Sequence, residues 1–156
     1  MNREYFAKIV WNSDGTQFTE GKYSRAHQWK FDGGVEVTAS SSPHVVPLPY
    51  SIENAVDPEE AFVASLSSCH MLWFLSIAAK KGFSVESYTD EAYGTMAKNA
   101  EGRAAIVSVK LRPSVSFVGA IIPANSEIEK MHEEAHAECF IASSIKSEIF
   151  CEPIYT

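Results

Sequence analysis

The spacing of hydrophobic and polar positions changes several times along the chain, and each change marks an element. Residues 6–11, running from Phe6 to Trp11, alternate as a strand, and the polar run Asn12, Ser13, Asp14 and Gly15 ends it as a turn. Shorter strands are expected around residues 22–24 and 29–31. Asp32, Gly33 and Gly34 can supply a left-handed turn before alternation resumes over residues 35–39. Residues 40–56 break every period, with Ser40, Ser41, Ser42 and Pro43 followed by Pro47 and Pro49, so an ordered crossing loop is expected there. A loop of this length inside a compact domain usually covers a site or an interface.

The run Asp57, Pro58, Glu59, Glu60 is the strongest local signal. Asp57 can accept from free backbone N–H groups at a helix start. Pro58 fits the first helical position, where no N–H is needed, and Glu60 completes a capping box. The helix predicted from this start runs to about Lys81, with Gly82 as its stop. Its second half is apolar around most of its circumference, and Ala61, Ala64, Ser65 and Ser68 permit close approach. Such a helix is expected to be buried against a sheet and a second helix.

Residues 83–96 then alternate loosely as a strand, and residues 97–102 form a hairpin connection to strand residues 104–111 and 114–118, interrupted at Pro113. Asn125 or Ser126 can cap a second helix whose apolar side carries Ile128, Met131, Ala135, Cys139, Ile141 and Ala142. Residues 145–151 alternate cleanly and should return as a strand. The order predicts an α+β fold with mostly antiparallel pairing, and residues 1–156 forming one domain, since neither side of the 40–56 loop is long enough to stand well alone.

Charge narrows the function classes. The chain carries 13 Lys and Arg against 20 Asp and Glu, and no cluster of basic residues that would hold a phosphate backbone, so nucleic acid is not an expected partner. The N-terminal residues lack the apolar run of a secretory signal, and no 18-residue stretch is free of polar interruption; a cytoplasmic, non-membrane protein is expected. Cys69, Cys139 and Cys151 are an odd set at spacings of 70 and 12, which fits neither a secreted disulfide scaffold nor a zinc finger. In a reducing compartment such thiols are either core residues or chemistry.

Several chemistries compete for these residues. A cysteine attacks a peroxide O–O bond only as a thiolate, and a second cysteine can trap the resulting sulfenic acid as a disulfide. Two cysteines on separate helices suit that cycle, although two core thiols give the same pattern. The run His132, Glu133, Glu134, Ala135, His136 satisfies H-E-x-x-H, in which two histidines four apart hold zinc and the Glu activates water. A zinc hydrolase also needs a third ligand and a cleft; a solvated helix face with unligated histidines is the expectation. His136, one turn before Cys139, could instead tune that thiol. A Cys–His hydrolase lacks a Gly-rich elbow, and His70 points about 100° away from its neighbour Cys69 around a helix.

Two segments resemble the OsmC/Ohr family of osmotically induced and organic-hydroperoxide-resistance proteins. The run from Asp57 to Glu60 followed by Ala64-Ser65-Leu66-Ser67-Ser68-Cys69 is similar to the family's Asn-Pro-Glu opening of the central helix and the cysteine ten residues beyond the Glu. The run from Ala137 to Ser144 is similar to its later cysteine and the polar turn before the last strand. Asp57 stands where Asn is usual, and both residues cap helices. The resemblance implies an OsmC-like fold with a long buried central helix, assembled as an intertwined homodimer with two sites at the subunit interface.

It also implies a thiol-dependent peroxidase. Cys69 matches the peroxidatic thiol, Cys139 the resolving thiol and Glu59 the carboxylate that anchors an arginine; Arg25 corresponds to the early arginine of the hydroperoxide branch, the 40–56 loop containing none. The expected substrate is an organic hydroperoxide, and the expected reductant an external dithiol or lipoyl group. The cycle requires no cofactor or metal. Glu59 and Cys69 are about 15 Å apart along one helix, so a shared site would draw them from different chains, with the two central helices antiparallel. The alternative is a redox-sensing or binding protein of the same fold. Cys151 is expected to be a structural thiol in the last strand.

Overall fold

The computed structural model describes residues 2–15 and 17–155. The chain divides into two compact units with the boundary after Ala61. In the first, β1 (Ala7–Val10), β2 (His27–Phe31) and β3 (Glu36–Ala39) form an antiparallel sheet in that order. Its register aligns Ile9 with Trp29 and Trp29 with Val37. Gly34, at φ +83°, makes the turn between β2 and β3. Residues 22–24 are not a strand: a 3₁₀ turn at Phe18–Glu20 precedes them, and Trp11, Phe18 and Tyr23 gather their rings with centroids 4.5–5.7 Å apart. That aromatic cluster gives the segment a fixed path without a ladder. The 40–56 loop is ordered as expected. Ser40, Ser42 and Ser51 are buried in it, and the Ser40 hydroxyl accepts the Ile52 N–H at 3.0 Å.

Helix α1 (Pro58–Lys80) begins where the sequence places it. Asp57 accepts the Glu60 N–H at 2.7 Å, and Glu60 reaches back toward the Asp57 N–H at 3.4 Å. Gly82 ends it at φ +83°. Beyond it the second unit holds β4 (Ser84–Asp90), β5 (Tyr93–Lys98), β6 (Ala104–Leu111), β7 (Pro113–Val118), α2 (Asn125–Glu138) and β8 (Glu148–Cys151).

The predicted single strand over residues 83–96 is two. β4 pairs with β7, whereas β5 pairs with β6, which also takes β8 in parallel. Both long arms bend at the same place, β4 to β5 at Glu91 and Ala92, and β6 to β7 at Arg112. The Asp90 carboxylate secures that corner, accepting the Arg112 N–H at 2.6 Å and the Ser67 hydroxyl at 2.5 Å. Such long-range bonds leave no mark on local alternation.

Helix α1 carries two core clusters. Phe74, Ile77 and Ala78 pack with Ile128, Met131 and Ala135 of α2, and Leu66 packs with Val109, Leu111 and Cys139. By length and composition α1 could also cross a membrane, but Leu66, His70, Phe74, Ile77 and Ala78 form its buried face. Of the small residues expected to permit close approach, Ala64, Ser65 and Ser68 are exposed, and the close contact lies elsewhere: a Cβ on Gly94 of β5 would meet Val63 Cγ2 at 2.7 Å. α2 starts at Asn125, with Ala124 at the cap and Glu127 accepting the Ala124 N–H at 2.8 Å. It stops at Glu138, so Cys139 stands at its C-terminal cap, and Ile141 and Ala142 lie beyond the helix.

Candidate functional site

Cys69 lies midway along α1, half-buried, where the apolar stripe that includes Leu66 meets the sheet residues Val109 and Leu111. Cys139 follows α2 in extended backbone at φ −68° and ψ 114°, and is fully buried in the same cluster. All three cysteines are free thiols. Burial pushes the Cys139 thiol up to about 11, and the neighbouring Cys69 adds to the rise, while the Ala142 N–H, 3.4 Å from Cys139 Sγ, opposes it. The Cys139 thiol thus keeps its proton at neutral pH. An asymmetric pair results: a protonated thiol closed off from solvent beside a thiol that solvent reaches.

Arg25 and Glu59 belong to the first unit. Arg25 Nη1 donates to the carbonyls of Gly21 at 2.8 Å and Tyr23 at 2.6 Å, and its guanidinium lies 3.7 Å over the Tyr23 ring. That anchoring holds the cation by carbonyls and an aromatic face, and within the chain it does not pair with Glu59. Glu59 is half-buried in the first turn of α1, where a carboxylate faces the positive end of the helix dipole.

Beside the cysteine pair lies a buried polar cluster that the sequence reading did not assemble. His70 and His132 are 1% and 3% exposed, and His70 Nε2 lies 2.9 Å from His132 Nδ1. Cys151 Sγ is 3.9 Å from His70 Nε2. Phe74 stacks on His132 with centroids 4.2 Å apart. His132 Nε2 and the Tyr88 hydroxyl are buried and make no hydrogen bond. Burial lowers both histidines, His70 to about 4 with His136 contributing, and His132 to about 3 with His70 contributing. The same burial raises Cys151 to about 12, helped by Asp90. The available signal was position: His70 falls four after Leu66 and four before Phe74, inside the apolar stripe, and His132 adjoins Met131.

The cluster offers three donors of transition-metal type, His70, His132 and Cys151, within 4.8 Å of one another. The ring geometry does not suit a cation. The two imidazole planes lie within 9° of each other with centroids 5.2 Å apart, so the rings meet end to end, and their lone pairs point along one line. A metal would need about 2.0 Å to each nitrogen, more than a head-on gap of 2.9 Å provides. The pair is a hydrogen bond, with one proton between two neutral rings. The H-E-x-x-H run is split in the same way: His132 turns into the core while His136 is exposed. His132 is therefore not the solvated histidine the sequence predicts, because α2 lays the Ile128, Met131, His132 and Ala135 face against α1.

Comparison with solved structures finds the same fold repeatedly. An OsmC-like protein of unknown function from Vibrio cholerae is 54% identical, with a TM-score of 0.96 over 98% of this chain and 100% of that one. An organic hydroperoxide resistance protein from Elizabethkingia anophelis is 17% identical, with a TM-score of 0.67 over 100% and 99%. The organic hydroperoxide resistance protein OhrB of Bacillus subtilis is 16% identical, with a TM-score of 0.66 over 97% and 98%. A sequence comparison with curated proteins finds no match. The family profile described as OsmC-like protein matches residues 52–153, which include α1, α2 and both candidate cysteines. With more than half of its sequence inside that profile and its strands, corner and two helices arranged as in those structures, this chain belongs to the OsmC-like family.

Proposed function

We propose that this protein is a thiol-dependent peroxidase that reduces organic hydroperoxides to alcohols through Cys69 and Cys139. The observation that carries the reading is the asymmetry of the pair: Cys69 is within reach of solvent, and Cys139 is a fully buried thiol in the cluster against which Cys69 packs. A peroxide meets Cys69 first. The Cys69 thiolate attacks the terminal peroxide oxygen, the O–O bond breaks, and the alkoxide leaves as the alcohol on taking a proton. Cys69 is then a sulfenic acid. Cys139 attacks that sulfur, water leaves, and a Cys69–Cys139 disulfide forms. An external dithiol of the lipoyl type reduces the disulfide by exchange and is itself oxidised.

In this reading Arg25 stabilises the thiolate and Glu59 anchors the guanidinium in an assembled homodimer, with residues 1–156 acting as one catalytic domain in the cytoplasm. Ten residues of α1 separate Glu59 from Cys69, about 15 Å of helix, which favours their meeting across two chains. An uncovered strip of α1 supports such an assembly: Ser65, Ser68, Ser76 and Ala79, small enough for close approach of a second copy, are exposed on one side with the apolar Leu72 among them. The organic hydroperoxide resistance proteins of the same fold support the substrate class.

Turnover is the test. With tert-butyl or cumene hydroperoxide and excess dihydrolipoamide, the protein should consume many equivalents of peroxide, and Cys69→Ser should abolish consumption. Consumption of a single equivalent followed by arrest, in the presence of reductant, would identify a redox sensor and refute the enzyme.

A further inference from the structure

Apolar packing between α1 and α2 supplies affinity without direction. Phe74, Ile77 and Ala78 against Ile128, Met131 and Ala135 would tolerate a small slide or rotation of one helix on the other, since dispersion and burial depend weakly on register. A hydrogen bond does not tolerate it. The His70–His132 bond is such a directional tie, and its position in the sequence is informative. His70 directly follows Cys69. His132 precedes Cys139 by seven residues, two helical turns, and therefore lies on the same side of α2 as the start of the segment that carries Cys139. Each histidine thus sits on the helix that delivers one of the two thiols.

The tie is also costly, which calls for a reason. Two imidazoles are taken out of water, and His132 Nε2 and the neighbouring Tyr88 hydroxyl are left without partners. Two leucines would bury comparable volume with no unpaired group. Phe74 stacked on His132 and the near-coplanarity of the two imidazoles fix the ring orientations, so the bond sets both the axial position and the roll of α2 against α1.

We propose that His70 and His132 are positioning residues for disulfide closure, their hydrogen bond aligning α1 and α2 so that Cys139 meets Cys69. This rests on the peroxidase reading, and it assigns the pair to the second chemical step. Neither histidine touches the peroxide. The pair leaves Cys69 oxidation unchanged and governs only how fast the sulfenic acid is captured.

The experiment separates the two steps in single turnover. Reduced protein is mixed with tert-butyl hydroperoxide and quenched over time, and the Cys69 sulfenic acid and the Cys69–Cys139 disulfide are quantified by mass spectrometry. In His132→Phe, which keeps an aromatic ring under Phe74 and loses the bond, oxidation of Cys69 should stay within about twofold of wild type and closure should slow about tenfold or more. In steady state kcat falls and kcat/KM for peroxide holds. His70→Leu should behave alike and serves if His132→Phe does not fold. His70→Gln, whose amide reaches the position of Nε2, should restore closure to within about threefold of wild type. Closure at the wild-type rate in a folded His132→Phe or His70→Leu protein would overturn the proposal, as would a His70→Gln protein as slow as His70→Leu. Failure of the peroxidase reading would show differently, as a wild-type Cys69 that ignores hydroperoxide. The alignment is then measured by closing the same disulfide with diamide, which accepts the two thiol hydrogens, and the same comparison between variants decides it.

Discussion

The histidine pair makes a prediction at the scale of single residues. An exposed histidine titrates near 6.5, whereas burial holds His70 near 4 and His132 near 3. The folded chain therefore resists protonation that the unfolded chain accepts. Stability from these groups is fully present above about pH 6.5 and is lost as pH falls toward 4 and then 3; a single group shifted this far accounts for roughly 3 kcal/mol. His136, which lowers His70, and Asp90, which raises it, act on the same cluster in opposite directions. The urea midpoint should fall between neutral pH and pH 4, and fall less steeply in His132→Phe. Parallel slopes for the two proteins would show that the acid sensitivity arises elsewhere. The sequence names both histidines but cannot say that they meet, because they stand 62 positions apart.

At the scale of elements, the fold depends on one close approach. Strand β5 reaches α1 at Gly94, where an added methyl would lie 2.7 Å from Val63 Cγ2 and 3.3 Å from Ile106 Cγ2. Val63 is branched at Cβ and held in the cluster around Cys139, so neither contact can yield cheaply. Gly94→Ala should destabilise the protein by about 1–3 kcal/mol through overpacking. The readout is a lower urea midpoint at unchanged denaturant dependence. An unchanged midpoint would mean that β5 has slack the geometry does not display. The residues at helix starts and stops were legible without any of this. Asp57, Pro58 and Glu60 set the start of α1, and Gly82 set its end, because capping acts within four residues. The corner at Asp90 was not legible, since its partners Ser67 and Arg112 are 23 and 22 residues away.

For the whole molecule, the proposed homodimer makes a test of the exposed face of α1. Leu72 is 61% exposed and stands among small residues, and Phe140 is 66% exposed. Apolar side chains so uncovered, one on the central helix and one just beyond α2, favour a second copy as the cover. Sedimentation should give twice the chain mass, and Leu72→Asp should give one chain mass with loss of peroxide turnover. A wild-type protein that sediments as a single chain while fully active would refute shared sites. The amino-acid sequence by itself determined α1, its caps, the α+β order and the two segments similar to the OsmC/Ohr family, because capping, periodicity and motif spacing are local properties. Tertiary structure alone decided three things. It split the strand at residues 91–92, it turned His132 inward, and it put the Cys139 thiol beside Cys69. Each depends on which distant surfaces pack together, and burial, not residue type, then decides whether a histidine stays neutral or a cysteine keeps its proton.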